Sequence, residues 1–160
     1  MTTGKRLKII SDNLSKEILE KHGILILTLG QLEWFLQECL IFLILRTNFD
    51  TTNQTHNVLA DYISRLTFDK KIGLIENFEL LSQALGEKIE TIRKRRNVFI
   101  HGIILQRGIE TPTIEILKKK GGVVKEDFTL ENISSFLDFV ETSGGELVTE
   151  FEAKGFHLSQ

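Results

Sequence analysis

The chain has very few of the residues that mark stapled or metal-bound proteins. It contains one cysteine, Cys39, and one proline, Pro112, among 160 residues. A single cysteine cannot form an internal disulfide, which excludes a disulfide-stabilised secreted scaffold. The four histidines are scattered without paired spacing, so we expect no zinc site and no other metal or cofactor.

An export signal is also lacking, because the opening residues MTTGKRLKII carry charges where a signal peptide needs a continuous apolar core. The longest apolar stretch, Ile24 to Leu45, is long enough to span a bilayer but contains Glu33 and Glu38. An acidic residue near the centre of a membrane helix costs roughly 2.5 to 3.5 kcal/mol. We therefore interpret this stretch as a buried core helix, and we expect a cytoplasmic protein without membrane contact.

Neither charge sign dominates the sequence. Twenty Lys and Arg residues oppose 22 Asp and Glu residues, and the formal net charge is −2 at pH 7. A content of 41% hydrophobic and 26% charged residues is typical of a soluble globular protein, and the length fits a single domain, 1–160. Without a global basic field, only local clusters favour nucleic acid. The densest cluster is Arg93 to Arg96, and Lys118 to Lys120 is the second.

Apolar residues recur at helical spacing along most of the chain. The segments with this spacing are 5–21, ended by Gly23, then 24–46, 58–66, 67–85, 87–101 and a last segment that Thr129 caps. Between them, 113–116 alternates apolar and polar residues, and a Gly121-Gly122 pair precedes two valines. The sequence predicts an all-α helical bundle of about five helices with a small β-hairpin insertion near 112–127.

The segment 87–101 ends with Arg96, Asn97 and His101. At about 100° per residue, Asn97 and His101 lie about 40° apart on a helix, whereas Arg96 and His101 lie about 140° apart. Asn97 can therefore orient the imidazole directly. Arg96 shares a pocket with His101 only if its side chain wraps round the helix, or if the two residues meet from different subunits.

These residue types suit cleavage of RNA through the neighbouring 2′-hydroxyl without a metal ion. An imidazole exchanges protons near neutral pH, and a guanidinium binds phosphate and stabilises the extra charge of its transition state. The alternative is that the cations only complement the negative end of the helix dipole, which is worth about 0.3 to 1 kcal/mol.

The segment RNVFIH, Arg96 to His101, resembles the signature of the HEPN superfamily. In that signature an arginine, followed by a polar residue that is often asparagine, precedes a histidine by four to six intervening residues. Gly102 and the late position of the segment in a helical bundle are also typical of the family. The resemblance covers roughly 24–102 and the final helix.

The resemblance implies a single HEPN-like domain that forms a homodimer and acts as a metal-independent endoribonuclease at the dimer interface. It implies that His101 is the general acid or base, that Arg96 stabilises the transition state, and that Asn97 positions His101 or the phosphate. It also implies a toxin of a toxin-antitoxin or phage-defence system, with a nucleotidyltransferase-like antitoxin as a partner.

Four further residues are predicted to assist the site. Arg93, Lys94 and Arg95 lie outside the motif, and we predict that their charges bind the RNA backbone. Glu33 is an acidic residue in an apolar helix, where an unpaired charge is costly, so we predict an accessory role with a motif arginine as its partner. Two alternative functions remain at this point: a non-catalytic dimeric module that binds RNA or a nucleotide, and a plain helical interaction protein.

Overall fold

This computed structural model describes residues 14–48, 52–77, 81–107 and 109–157. These residues form five helices and a three-stranded sheet. The helices are α1 (Lys16–Leu45), α2 (Gln54–Ser64), α3 (Phe68–Asn77), α4 (Gln83–His101) and α5 (Leu130–Glu152). The strands are β1 (Ile103–Leu105), β2 (Thr113–Leu117) and β3 (Val123–Asp127). The predicted helical bundle with a small β insertion is confirmed.

Helix α1 lies at the centre of the bundle and packs against the other four helices. It begins at Ser15, whose hydroxyl accepts a hydrogen bond from the backbone N–H of Ile18 at 3.3 Å. The helix continues through Gly23, so the predicted boundary between two helices at that residue is wrong. A helical glycine costs only about 0.5 to 1 kcal/mol, which is less than the burial of Leu25 and Leu29 just beyond it contributes. The predicted start at Lys5 lies outside the described residues.

By length and composition alone, α1 is apolar enough to cross a membrane. However, 50% of its most apolar window is buried inside the protein, and the core helix of a soluble protein meets the same criterion. Its Glu38 is buried and lies 3.1 Å from Nε2 of His56 in α2. The buried apolar residues of α1 therefore belong to the protein core, whereas Ile24, Leu27 and Ile44 are exposed.

Phenylalanines supply most of the aromatic core. Fully buried rings come from α4, α5 and the segments that flank α5: Phe99, Phe128, Phe136, Phe151 and Phe156. Single aromatic residues at helical spacing are usually core residues, but Trp34 and Tyr62 are 45% and 64% exposed. At about 100° per residue, Trp34 lies about 160° round α1 from buried Leu36, and Tyr62 lies about 100° round α2 from buried Ile63, so both face away from the centre of the buried side.

The sheet is antiparallel, with β2 between β1 and β3. The predicted hairpin is the β2–β3 pair, and it closes through residues 118–122. The N–H of Gly121 donates to the carbonyl of Lys118, and the N–H of Lys118 donates to the carbonyl of Gly122, both at 3.0 Å. Gly121 and Gly122 have φ of 85° and 89°, a region that favours glycine. The two glycines are thus required by the turn itself.

The end of α4 is pressed against β2. A Cβ atom on Gly102 would lie 2.6 Å from Cγ1 of Ile114 and would also collide with the carbonyl oxygen of Val98. The φ of Gly102 is −74°, which any residue adopts, so space and not backbone conformation requires glycine here. This close approach fixes the sheet against the helix that carries Arg96, Asn97 and His101.

We predict that Gly102→Ala lowers the free energy of unfolding by about 1 to 3 kcal/mol, because the added methyl group forces β2 away from α4. Urea denaturation measures the change. Gly86→Ala is the matched control in the same helix, since no atom lies within 4 Å of its Cβ position. That control should stabilise the protein by about 0.4 to 1 kcal/mol. Equal effects of the two substitutions would contradict the close approach.

Candidate functional site

The three motif residues lie in the last two turns of α4 but project to two sides of it. Arg96 contacts α1 and α3, through Glu33 and Phe68. Asn97 lines a groove between α4 and the sheet, and His101 lines a neighbouring groove with residues of the sheet. One chain therefore brings Asn97 and His101 to the same side and keeps Arg96 on another, as their angular separation on a helix predicts.

Arg96 is held firmly in its position. Its Nη2 donates a hydrogen bond to Oε2 of Glu33 at 2.6 Å, and its guanidinium carbon lies 4.6 Å from the centre of the Phe68 ring. The side chain is only 14% exposed, and its buried Nε has no hydrogen-bond partner among the described residues. The prediction that Glu33 pairs with a motif arginine is confirmed, whereas its accessory role in a reaction stays a prediction.

Glu33 has a second partner that the sequence analysis missed. Nζ of Lys71, in α3, lies 3.0 Å from Oε1 of Glu33, and the Lys71 side chain is only 4% exposed. Its spacing from Phe68 and Ile75, which lie on the same face of α3 in the core, was the available signal. With one carboxylate between two cations, the cluster has a formal charge of +1.

His101 is exposed at the C-terminal end of α4. Together with residues from all three strands, it lines a groove that we call the histidine groove. The lining residues include His101, Ile103, Glu115, Leu117 and Val123. The exposed imidazole is open to a substrate, and no described residue forms a hydrogen bond with it. This includes Asn97, so the expected direct orientation of the His101 imidazole by Asn97 is not present in this structure.

Asn97 is half-buried in a second groove beside the first. We call it the lysine groove, and its polar lining residues are Arg93, Lys94, Asn97 and Lys118. Two residues of β2, Ile116 and Leu117, line both grooves. Asn97 and His101 thus line neighbouring grooves.

Arg95, one of the three cations predicted to bind RNA, forms hydrogen bonds to other residues of the protein. Its Nε and Nη2 donate to the two carboxylate oxygens of Glu126 at 2.8 Å each, and Nη2 also donates to Asn132 at 2.8 Å. The guanidinium lies 4.1 Å from the centre of the Phe136 ring. Arg95 therefore fastens β3 and α5 to α4, and binding a phosphate would require breaking this bidentate pair.

Arg93 and Lys94 differ in how far they are neutralised. Arg93 donates to Glu90 through Nε at 2.6 Å and lies 3.4 Å from Asp69. The hydrogen bonds from Arg93, and then from Lys94, lower the pKa of Glu90 to about 2. Lys94 is 69% exposed and lies 3.4 Å from Glu90. Among the three predicted cations Lys94 is the most accessible to a phosphate, although an RNA-binding role for each of them stays a prediction.

His22 is a further residue that the sequence did not single out. Its Nε2 lies 3.0 Å from the carbonyl oxygen of Phe99, and because a carbonyl only accepts, Nε2 is the donor. That carbonyl is among the last four of α4, which have no partner within the helix. His22 thus ties α1 to the end of the helix that carries the motif.

The described residues give little support for a metal site or for a cysteine nucleophile. They contain no group of three or more His, Cys, Asp or Glu side chains that could hold a metal ion. Cys39 is buried, and burial, followed by the charge of Glu38, raises the pKa of its thiol. A raised pKa disfavours the thiolate that a nucleophilic cysteine needs.

No protein-family model, no curated protein and no solved structure matches this chain. The resemblance to the HEPN superfamily therefore depends on the segment from Arg96 to His101 and on the helices around it.

We predict that Glu33→Gln lowers the free energy of unfolding by about 2 to 3 kcal/mol, because Lys71 and Arg96 then remain largely buried without a counter-charge. Chemical denaturation at neutral pH measures the loss. Glu20→Gln is the matched control in the same helix, where an exposed carboxylate pairs with Lys16 at 3.3 Å. Its effect should stay below about 0.5 kcal/mol. A Glu33→Gln effect as small as that of the control would contradict the shared role of the carboxylate.

Proposed function

We propose that this protein is a homodimeric, metal-independent endoribonuclease of the HEPN type. The observation that supports it best is the exposed imidazole of His101, which lines a groove at the end of α4, next to a groove that holds Asn97. The proposal includes a cytoplasmic location, a role as a toxin of a toxin-antitoxin or phage-defence system, and a nucleotidyltransferase-like antitoxin as a partner.

In the proposed reaction, His101 takes the proton from a ribose 2′-hydroxyl, and the 2′-oxygen attacks the adjacent phosphorus. The bond from phosphorus to the 5′-oxygen of the next nucleotide breaks. The 5′-oxygen takes a proton from solvent as it leaves, and a 2′,3′-cyclic phosphate remains on the other fragment. The imidazolium of His101 then returns its proton to solvent. A guanidinium beside the phosphoryl oxygens stabilises the additional negative charge of the transition state. Arg96 is the motif residue that carries a guanidinium.

The proposal requires a second copy of the chain. In one chain Arg96 faces Glu33 and Phe68, whereas His101 faces the sheet. A two-fold dimer can combine His101 of one subunit with Arg96 of the other, and symmetry then creates two such sites. Exposed apolar side chains beside His101 suit a subunit contact that covers them: Ile103, Leu117 and Val123.

A non-catalytic RNA-binding module is the second candidate function. The observation that favours it is the anchoring of Arg96, because Glu33 already accepts its hydrogen bond and the side chain is largely buried. In this alternative Arg96 only stabilises the bundle, and the cations near His101 bind RNA without cleaving it.

We predict that the purified protein cleaves RNA in excess chelator and leaves cyclic phosphate ends, and that His101→Ala lowers the rate by about 10² to 10⁴. Gel analysis of a labelled RNA, with mass spectrometry of the products, measures both. His157→Ala is the matched control, since His157 is also exposed but lies after α5, at the far end of the described chain. It should cleave at the wild-type rate.

Three outcomes would count against catalysis at His101. Cleavage that stops when metal ions are removed, or that proceeds equally in His101→Ala, would rule out the proposed mechanism. RNA binding without any cleavage by the wild type would favour the second candidate. Thermal denaturation of both variants verifies that they remain folded.

A further inference from the structure

The β2–β3 turn displays three consecutive lysines, Lys118, Lys119 and Lys120, and all three are exposed. In the described part of the chain no carboxylate forms an ion pair with any of them. Some other exposed cations are paired: Arg65, for example, lies 2.7 Å from Asp61. The charge of the turn is therefore available to an external anion.

The lysine groove lies between this turn and α4 and has a volume of about 400 Å³. Its lining includes the cations Arg93, Lys94 and Lys118 and no carboxylate. Aliphatic side chains complete the lining: Val98, Ile116, Leu117 and Val124. Arg93 pairs with Glu90 and Asp69, and Lys94 lies 3.4 Å from Glu90, so Lys118 is the lining cation that has no ion pair in the described part of the chain. Three cations against two carboxylates still leave this apolar groove with positive charge.

The two walls of the groove are fixed relative to each other. Arg95 of α4 binds Glu126 of β3 through two hydrogen bonds, and Gly102 allows Ile114 of β2 to approach the end of α4. The backbone hydrogen bonds between Lys118 and Gly122 close the turn. A ligand that enters the groove therefore has little protein backbone to order, which favours binding.

The lysine groove adjoins the histidine groove. Ile116 and Leu117 of β2 line both, and His101 lines the second. An extended polymer whose phosphates contact Lys94 and Lys118 therefore passes close to the groove that His101 lines.

We propose that Lys94 and Lys118 bind the phosphates of single-stranded RNA and that the aliphatic lining of the lysine groove contacts its riboses or bases. The inference deepens the proposed function, because it names the surface that holds the substrate of the same site. A single strand suits a concave groove with an apolar lining, whereas a duplex offers mainly phosphates and a membrane is flat. Phosphate contacts through lysine carry no sequence information, so the groove sets affinity and register.

The test uses a short fluorescent single-stranded RNA in which every 2′-hydroxyl is methylated, so that it cannot be cleaved. Fluorescence anisotropy gives its affinity for the full chain at several salt concentrations. The double variant Lys94→Ala with Lys118→Ala removes two cations from the groove. The control, Lys16→Ala with Lys70→Ala, removes two exposed cations from α1 and α3 and leaves the same net charge.

We predict that the groove variant weakens RNA binding by about tenfold or more near 0.1 M salt and that the slope of log affinity against log salt falls by about two. The control variant should keep the wild-type slope. Equal weakening in both variants, or wild-type affinity in the groove variant, would overturn the inference. The inference would also be overturned if the wild-type protein did not bind RNA but bound anionic phospholipid vesicles or a polyglutamate peptide.

The groove and the catalytic proposal fail separately in this design. If RNA binding depends on Lys94 and Lys118 but unmodified RNA is not cleaved, the catalytic proposal is wrong and the RNA-binding role of the lysine groove stands. If cleavage needs His101 but not the two lysines, the RNA-binding role of the lysine groove is wrong and the catalytic proposal stands.

Discussion

The carboxylate of Glu33 is the charge that helices α1, α3 and α4 share. A largely buried carboxylate is costly unless opposite charges and hydrogen bonds satisfy it, and here Lys71 and Arg96 do so at 3.0 and 2.6 Å. The pairing sets how α4 is rotated about its own axis. With Arg96 turned toward Glu33, the helical repeat turns Asn97 and His101 toward the sheet. The same repeat separates Arg96 from His101, and the proposed reaction therefore requires a second subunit.

The four consecutive cations at 93–96 show what the same helical repeat does to a basic run. Because each residue is rotated by about 100° from the last, the four side chains reach four different surroundings. Arg93 pairs with nearby acids, Lys94 faces solvent, Arg95 fastens β3 and α5, and Arg96 joins α1 and α3. A basic cluster in the sequence is therefore not a basic patch on the surface, and Lys118 of the hairpin restores charge beside Lys94.

Local patterns predicted most of the helices and the β2–β3 hairpin, but not strand β1 or the continuation of α1 through Gly23. The helices, the hairpin and the cap at Thr129, whose hydroxyl accepts the N–H of Asn132 at 3.2 Å, all depend on residues close together in sequence. The partner of Glu33 was predictable because a buried charge needs one. The second partner, Lys71, the pairing of Arg95 and the contact of His22 join residues far apart in the chain. Such contacts depend on how the helices pack, which no short sequence window contains.

Subunit complementation tests the central claim, that Arg96 and His101 act together across a dimer. Arg96→Gln and His101→Ala, each inactive alone, are co-expressed with different tags, and the mixed dimer is purified and assayed for chelator-resistant RNA cleavage. A mixed dimer contains one site with both native residues, so activity should return to roughly half of the wild-type rate per dimer. If the mixed dimer forms and remains as inactive as its parents, the two residues do not form a shared site.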